Sequence, residues 1–197
     1  MDLILPAPLI LGSQSPRRKQ LLQDTGFEFE VKVRPVDEEV KDDLTPEEVV
    51  KQIARTKAEA FQDLTDNHII ITADTIVVVD DQILGKPANR QEAFEMIALM
   101  NGRSHEVISA ASIYYRDIQH VFAETTKVFF RDLSPFEIYH YIDQYSPFDK
   151  AGAYGIQEWI GMVGIEKIEG DFYNVMGLPI GALYRNLKRL FGKSNNP

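Results

Sequence analysis

Short apolar runs alternate along this chain with longer segments of helical periodicity, and local punctuation marks where each begins. Residues 8–12 form an apolar run that predicts a strand. Ser15 and Pro16 follow as a cap and a first-turn proline, and predict a helix that ends near Gly26. Residues 27–33 alternate as a second strand, and an acidic loop, 35–43, comes next.

The rest of the chain repeats this alternation of strands and helices. The predicted elements are a helix from Thr45 to about Leu64, a strand at 68–79, a short strand at 82–84, a helix at 89–100, a hairpin of 104–115 with 120–131, a helix from Ser134 to about Gln144, a strand near 162–168 and a helix at 174–190. Interleaving of this kind predicts an α/β fold with a mixed central sheet and flanking helices. We expect one domain over 1–197, with 192–197 as a frayed tail.

Composition narrows the function. The absence of cysteine excludes disulfides, thiolate zinc sites and a cysteine nucleophile, and suits the cytoplasm. A net charge of −9 disfavours nucleic acid and anionic membranes as partners, so an anionic ligand needs a local basic pocket. Residues 1–12 lack the basic flank and cleavage site of a signal peptide, and no apolar run is long enough to span a membrane. The sequence does not determine the oligomeric state, and a homodimer is compatible with it.

Basic residues crowd the start of the first predicted helix, where the helix dipole is already positive. Arg17, Arg18 and Lys19 are unfavourable there by a few tenths of a kcal/mol each if they are only solvated side chains. Together with Ser13, Ser15 and the free backbone N–H groups, they instead suggest a phosphate site. We favour the phosphate site.

Lys57 lies on the apolar stripe of the helix that begins at Thr45, seven residues after Val50. Such a lysine either extends past the edge of the core into solvent or reaches into a cleft to meet an anion. Taken alone, the position favours the first interpretation.

Asp74 is the most informative polar residue, because it interrupts an eleven-residue, otherwise apolar segment, 69–79. An ionised carboxylate buried there costs several kcal/mol unless it is paired or bound to a metal. The alternative is a structural aspartate held by backbone N–H groups. Lys86 follows a turn that could bring it beside Asp74, either as its countercharge or to bind phosphate.

Two glycine-containing segments near the end of the chain are candidates for contact with a ligand. Residues 150–157 end in Gln157, whose amide could pair with a base edge. Residues 170–179 have a similar composition, although an ordinary turn capped by Asn174 explains them equally well. His105 is expected to be a polar residue at a strand start and Trp159 a packing residue. No phosphate-loop or dinucleotide fingerprint is present.

These segments together resemble one family, the Maf-type nucleoside triphosphate pyrophosphatases. The matching motifs, in order, are Leu11-Gly12-Ser13-Gln14-Ser15-Pro16-Arg17-Arg18, Asp37-Glu38, Ala54-Arg55-Thr56-Lys57-Ala58, Ala73-Asp74-Thr75, Leu84-Gly85-Lys86-Pro87, Gly102-Arg103-Ser104-His105, Ala151-Gly152-Ala153-Tyr154-Gly155-Ile156-Gln157 and Asn174-Val175-Met176-Gly177-Leu178-Pro179. Each motif alone is weakly specific, but eight motifs in the same order, from residue 9 to about 190, are together highly specific. One departure is Ser109-Ala110, where the family usually has threonine and glycine; it involves no proposed catalytic group, and we expect it to alter local packing.

The resemblance implies a two-lobed fold around a cleft, similar to inosine triphosphatases. It implies hydrolysis of nucleoside triphosphates between the α and β phosphates with Mg²⁺ or Mn²⁺, as a cleansing of the nucleotide pool. The arginine at position 17 and the Gly-Ile-Gln ending at 157 are similar to the family branch that acts on dTTP and UTP. By this resemblance Asp74 occupies the catalytic acidic position, and Arg17, Thr75 and Gln157 determine base choice.

The resulting hypothesis assigns a role to each charged candidate. Ser13, Arg17, Arg18, Lys57 and Lys86 bind the phosphates, while Asp74 and Glu38 hold the metal, with Asp74 either activating water or serving as a ligand. Two other functions are compatible with parts of this pattern. One is nucleotidyl transfer, which the missing glycine-x-glycine disfavours, and the other is a non-catalytic interaction module for cell division. Retention of Asp74, Lys57 and Lys86 argues against the second.

Overall fold

On one side of the central strand the pairing with neighbouring strands is interrupted, and this gap determines where a cleft lies. A computed structural model describes residues 3–40 and 43–192. Strand β3 (Ile69–Val79) pairs along one side with β5 (Ser104–Tyr115), antiparallel, for most of its length. On its other side, the parallel strand β1 (Leu9–Leu11) covers only 69–71, and β4 (Gln82–Leu84) covers only 77–79. Residues 72–76 therefore face an opening between β1 and β4.

The complete sheet is mixed. The strand order is β2-β1-β3-β5-β6-β7, with β4 attached to β3, where β2 is Phe29–Val31, β6 is Ile118–Phe130 and β7 is Ile165–Glu169. Strands β2, β1 and β3 run parallel, and all other pairs are antiparallel. The predicted α/β class with a mixed sheet is confirmed.

Seven α-helices flank the sheet within the described residues. They are α1 (Pro16–Asp24), α2 (Pro46–Glu59), α3 (Arg90–Met100), α4 (Pro135–Tyr145), α5 (Trp159–Gly164), α6 (Phe172–Met176) and α7 (Ile180–Phe191). The predicted N-terminal signals hold for the longer ones: Thr45 and Ser134 form capping boxes with the glutamates three residues later, and Ser15 and Asn89 also cap helices. No helix in the described ranges is both long enough and apolar enough to cross a membrane.

Apolar side chains form two main cores at opposite ends of β3. Leu9, Ile69 and Ile71 pack with α1 and α7 at one end, and Val77 and Val79 pack with α3 and α4 at the other. The two cores correspond to the two predicted lobes. The polar pair at 74–75, the only incompletely buried part of β3, lies between them.

Three predicted element boundaries are wrong. The helix that begins at Pro46 ends at Glu59, and a separate 3₁₀ turn covers Gln62–Leu64 and places Phe61 in the core. The predicted strand at 162–168 begins instead as helix α5 and becomes extended only at Ile165. The predicted helix at 174–190 is two helices, because Gly177 adopts a φ of 115° and Pro179 lacks the N–H that a continuous helix requires. The tail at 193–197 and residues 41–42 of the acidic loop lie outside the described ranges.

Candidate active site

The cleft between β1 and β4 has a volume of about 520 Å³ and is lined by nine of the predicted site residues, whereas Lys19 at the start of α1 is not part of its lining. That volume is within the range typical of small-molecule sites. The predicted site residues in its lining are Ser13, Arg17, Arg18, Glu38, Lys57, Asp74, Thr75, Lys86 and Gln157. They come from six separate segments of the sequence, which the fold gathers around one opening.

The start of α1 forms the first wall of the cleft. Ser15 caps the helix by accepting a hydrogen bond from the Arg18 backbone N–H at 3.4 Å, and Ser13 Oγ accepts one from the Ser15 N–H at 3.2 Å. The turn that follows β1 is thereby fixed, with Ser13 buried and Arg17 facing the cleft. Gly12 is required at this turn, because a Cβ there would lie 2.8 Å from Thr72 Cγ2.

Arg18 differs from Arg17 in its contacts. Its guanidinium donates to Gly177 O at 2.7 Å, to Ala73 O at 2.8 Å and to Thr75 Oγ1 at 3.1 Å. Burial lowers the pKa of Arg18 from its ordinary value, and the neighbouring Asp74 charge opposes that shift. Arg18 thus holds α1, β3 and the turn at 177 together, in addition to lining the cleft.

Asp74, Lys57 and Glu38 form the chemical centre of the cleft. Lys57 Nζ lies 2.7 Å from Asp74 Oδ1 and 3.0 Å from Glu38 Oε1. The Lys57 and Asp74 side chains are 19% and 17% exposed, whereas Glu38 is half-exposed. Lys57 therefore reaches into the cleft, and the interpretation of its position as a lysine extending past the core into solvent is wrong.

Lys57 is the countercharge of Asp74. The sequence predicted Lys86 as a candidate for this role, and that prediction is wrong. Lys86 is exposed on the cleft wall, and no described acidic group lies within ion-pair distance of it. The two lysines therefore differ in their setting. One is committed to two carboxylates, and the other is available to an anion that enters the cleft.

Thr75, next to Asp74, belongs to a hydroxyl network that the sequence did not reveal. Thr75 Oγ1 lies 2.8 Å from Ser109 Oγ, and Ser109 in turn donates to Asn174 O at 2.9 Å. Ser109 belongs to the Ser109-Ala110 pair that departs from the usual family pattern. Its contact with Thr75 places this departure one hydrogen bond away from a predicted specificity residue.

The loop 150–157 forms the wall opposite α1, and a glycine at 152 is required for its close approach to β3. Gly152 has a φ of 66°, and a Cβ there would lie 2.9 Å from Val77 Cγ2. Tyr154 lines the cleft and its hydroxyl lies 2.7 Å from His105 Nε2. Gln157 is exposed at the end of the loop.

His105 is a buried partner of this loop rather than an ordinary polar residue at a strand start. It is 2% exposed, and burial lowers its pKa from 6.5 to about 3. Its ring packs edge-on against Phe130 and Tyr154. The neutral imidazole of His105 thus supports the loop from the protein interior through its contact with the Tyr154 hydroxyl.

Asp149 and Lys150 were missed as site residues. Asp149 Oδ2 accepts from Arg17 Nη1 at 2.8 Å, and Lys150 Nζ lies 2.7 Å from Asp149 Oδ1. Burial opposes ionisation of Asp149, but the hydrogen bonds from Lys150 and Arg17 outweigh it and lower the pKa. The sequence gives no local signal for Asp149, because an aspartate before a lysine in a loop is ordinary.

The donor set at Asp74 and Glu38 suits a divalent cation whose shell a ligand completes. Mg²⁺ prefers oxygen ligands and commonly takes one or two carboxylates together with phosphate oxygens. Across 3–40 and 43–192 no three His, Cys, Asp or Glu side chains are arranged to hold a metal by themselves. The two carboxylates that converge on Lys57 therefore fit such a cation in the company of phosphate.

Fold and cleft together define an α/β protein whose cleft is lined by basic side chains and carboxylates, with Asp74 and Glu38 meeting at Lys57. The family model described as Maf-like protein matches residues 8–190, and the chain belongs to that family.

Similar curated proteins cover nearly the whole chain. A protein of Porphyromonas gingivalis is 46% identical over 199 aligned positions, covering 99% of this chain and 100% of the relative. One of Bacteroides fragilis is 49% identical and covers 92% of this chain and 95% of the relative. One of Christiangramia forsetii is 43% identical and covers 96% and 97%. Each of the three is named dTTP/UTP pyrophosphatase.

Among solved structures, the Staphylococcus aureus Ham1 protein is similar at 16% identity and a TM-score of 0.46, over 64% of this chain and 72% of that one. This degree of overlap is too low to support a conclusion about the chain.

Proposed function

We propose that this protein hydrolyses nucleoside triphosphates between the α and β phosphates, releasing a nucleoside monophosphate and diphosphate. The observation that carries the proposal is the arrangement of Asp74 and Glu38 around Lys57 in a cleft also lined by Arg17 and Lys86. The names of the relatives, dTTP/UTP pyrophosphatase, support the same reaction.

The chain's residues must first bind the substrate. A triphosphate carries about four negative charges, and a protein of net charge −9 can attract it only through a local cluster of cations. Lys86, exposed on the cleft wall, is one cation of that cluster, and Ser13 with the free N–H groups at the start of α1 adds hydrogen-bond donors for phosphate oxygens. Lys57 then adds positive charge at the centre of the cleft, where negative charge develops during the reaction.

Proton transfer follows binding. In the proposed mechanism, Asp74 accepts a proton from the attacking water, the water oxygen bonds to the α phosphorus, and the bond from that phosphorus to the bridging oxygen breaks. Diphosphate departs with the electron pair of the broken bond. Lys57, 2.7 Å from Asp74 Oδ1, fixes the direction in which the carboxylate faces.

We further propose that Asp74 and Glu38 hold Mg²⁺ or Mn²⁺ in this reaction. When bound, the cation would supply neutralisation of phosphate charge. This assignment rests on the oxygen donor set and on the family resemblance.

Base choice is assigned to Arg17, Thr75 and Gln157, which line the cleft from α1, β3 and the end of the loop 150–157. Uracil and thymine present two carbonyl acceptors on either side of one N–H donor, and an amide side chain can pair with such an edge. We propose dTTP and UTP as the preferred substrates, in keeping with the relatives' names. A role in cleansing the nucleotide pool of the cytoplasm completes the proposal.

The test is incubation of the purified protein with dTTP, UTP, CTP, ATP and GTP in the presence of Mg²⁺ or Mn²⁺, with separation of the products. We expect equal amounts of monophosphate and diphosphate from dTTP and UTP. Release of orthophosphate with nucleoside diphosphate, or no turnover of any of the five, would show that the proposal is wrong. Diphosphate release without a second substrate also excludes nucleotidyl transfer.

A further inference from the structure

A series of charged and hydroxyl groups connects the two walls of the cleft. Arg17, at the start of α1, donates from Nη1 to Asp149 Oδ2 at 2.8 Å, across 132 positions of sequence. The Arg17 side chain is 23% exposed and that of Asp149 57%. The pair therefore joins α1 to the residue directly before the loop 150–157, at the cleft surface.

Behind Asp149 the series continues into the protein. Lys150, whose side chain is 8% exposed, lies 2.7 Å from Asp149 Oδ1 and 3.1 Å from Glu158 Oε1. The Tyr141 hydroxyl donates to Glu158 Oε2 and accepts from the Gly155 backbone N–H at 3.0 Å. Gly155, where this series ends, lies two residues before Gln157. Asp149 is thus held in place by a buried lysine and not only by Arg17.

The presence of Asp149 changes what Arg17 can bind. A phosphate that approached Arg17 would meet the Asp149 carboxylate beside it, and like charges repel. A neutral carbonyl group meets no such repulsion. The Arg17 guanidinium has five N–H donors, and in the described residues its one hydrogen-bond partner is Asp149, so donors remain for an acceptor in the cleft.

We propose that Asp149 is a specificity-determining positioning residue, which neutralises Arg17 and directs its remaining donors to a carbonyl group of the nucleotide base instead of to phosphate. This inference rests on the proposed nucleotide function. It gives the two adjacent arginines different roles, because Arg17 recognises the base, whereas Arg18 joins α1, β3 and the turn at 177. It also removes Arg17 from the predicted phosphate ligands.

The test compares equilibrium binding of three probes by titration calorimetry with Mg²⁺ present. The probes are α,β-imido-dUTP, α,β-imido-dATP and inorganic tripolyphosphate, which has the charge but no base. Selectivity is the ratio of the two nucleotide dissociation constants. Because these probes are not hydrolysed between α and β, binding is measured separately from turnover. A wild type that binds but does not hydrolyse dTTP contradicts the proposed function and leaves this test intact.

Asp149→Asn keeps the shape and removes the charge. We expect pyrimidine selectivity to fall by about fivefold, the upper range for a partly exposed ion pair. Tripolyphosphate affinity should stay equal or rise, because the positive charge of Arg17 is no longer neutralised. Arg17→Ala should lower selectivity as well, and the double variant should be no less selective than Arg17→Ala alone, since Asp149 acts through Arg17.

Asp143→Asn is the matched control, because Asp143 forms a two-bond ion pair with Arg90 and neither residue lines the cleft. Its selectivity and tripolyphosphate affinity should equal those of the wild type. Unchanged selectivity in Asp149→Asn would overturn the inference. So would parallel weakening of all three probes, which indicates a structural role. If Asp149→Asn does not fold, Arg17→Lys, which keeps the charge but loses the fork geometry, should lower selectivity without weakening tripolyphosphate.

Discussion

Lys57 Nζ and Asp74 Oδ1 lie 2.7 Å apart, although one residue is on helix α2 and the other is on strand β3. The contact provides the buried carboxylate with its countercharge and brings Glu38 to the same ammonium group at 3.0 Å.

Asp74→Asn tests the proposed base. The substitution keeps the size of the side chain but removes the proton acceptor, so turnover should fall by at least about 10²-fold while the melting temperature changes little. The measurement is kcat with dTTP, with Asp80→Asn as the control, because Asp80 lies in the turn after the same strand and pairs with Arg103. Near wild-type turnover in Asp74→Asn would remove Asp74 from the catalytic step.

Lys57→Met tests the charge of Lys57 separately from its packing. Methionine retains an apolar stem along α2 but cannot neutralise phosphate or Asp74, so kcat/KM should fall by at least about tenfold. Lys51→Met, on the same helix and in an exposed pair with Glu47, should keep wild-type kinetics. Normal kcat/KM in Lys57→Met would show that the positive charge of Lys57 does not contribute to the reaction.

Lys86→Ala tests an exposed phosphate contact. Since no described carboxylate pairs with Lys86, its removal should raise KM severalfold and reduce the dependence of KM on salt, without lowering the melting temperature. Lys167→Ala, at an exposed lysine of β7 paired with Glu169, is the comparison. Equal KM values for Lys86→Ala and the wild type at low salt would exclude the phosphate contact.

Gln157→Ala tests base recognition. A site that hydrogen-bonds its base rejects the wrong edge more strongly than an apolar site does, so the dTTP-to-CTP ratio of kcat/KM should narrow more than turnover of dTTP falls. All five triphosphates are compared on both proteins, with Gln91→Ala on the exposed side of α3 as control. A wild type that prefers a purine triphosphate would contradict the assignment to dTTP and UTP but not the hydrolysis itself.

His105 predicts a pH effect on stability. Its pKa is about 3 in the folded protein and near 6.5 when unfolded, so the unfolded chain binds the proton first as the pH falls. The stability from the neutral imidazole is complete above pH 6.5 and is lost between pH 6.5 and 3, by at most about 5 kcal/mol. His105→Gln should therefore lose less stability than the wild type between pH 7.5 and 4.5 in urea unfolding.

The control for this measurement is His140→Gln, at an exposed histidine next to Trp159. It should follow the wild-type curve. Identical pH dependence of the wild type and His105→Gln would show that burial of the imidazole does not contribute to acid sensitivity.

Local signals in the sequence determined most of the fold. Capping residues at Ser15, Thr45, Asn89 and Ser134 mark helix starts through side-chain hydrogen bonds that involve only neighbouring residues. The apolar run at 69–79 likewise predicts a buried strand because both faces need apolar partners. Where competing local preferences were close, as in α5 and at Gly177, the prediction failed.

Apart from the family resemblance, the sequence predicted the candidate site through exceptions to local rules. Asp74 in an apolar strand and the basic start of α1 cost free energy where they stand, and each was identified for that reason. Asp149 breaks no local rule, because an aspartate before a lysine in a loop is ordinary. Its importance depends on Arg17, 132 residues away in the sequence.

The sequence by itself determined the elements, the family resemblance and the types of chemical group available. Only the tertiary structure decided which of these groups meet: Lys57 rather than Lys86 at Asp74, Ser109 at Thr75, and Asp149 at Arg17. The physical reason is that caps and hydrophobic periodicity act over a few residues. Ion pairs and hydrogen bonds between distant segments, in contrast, depend on how strands of unequal length end beside one another in the sheet.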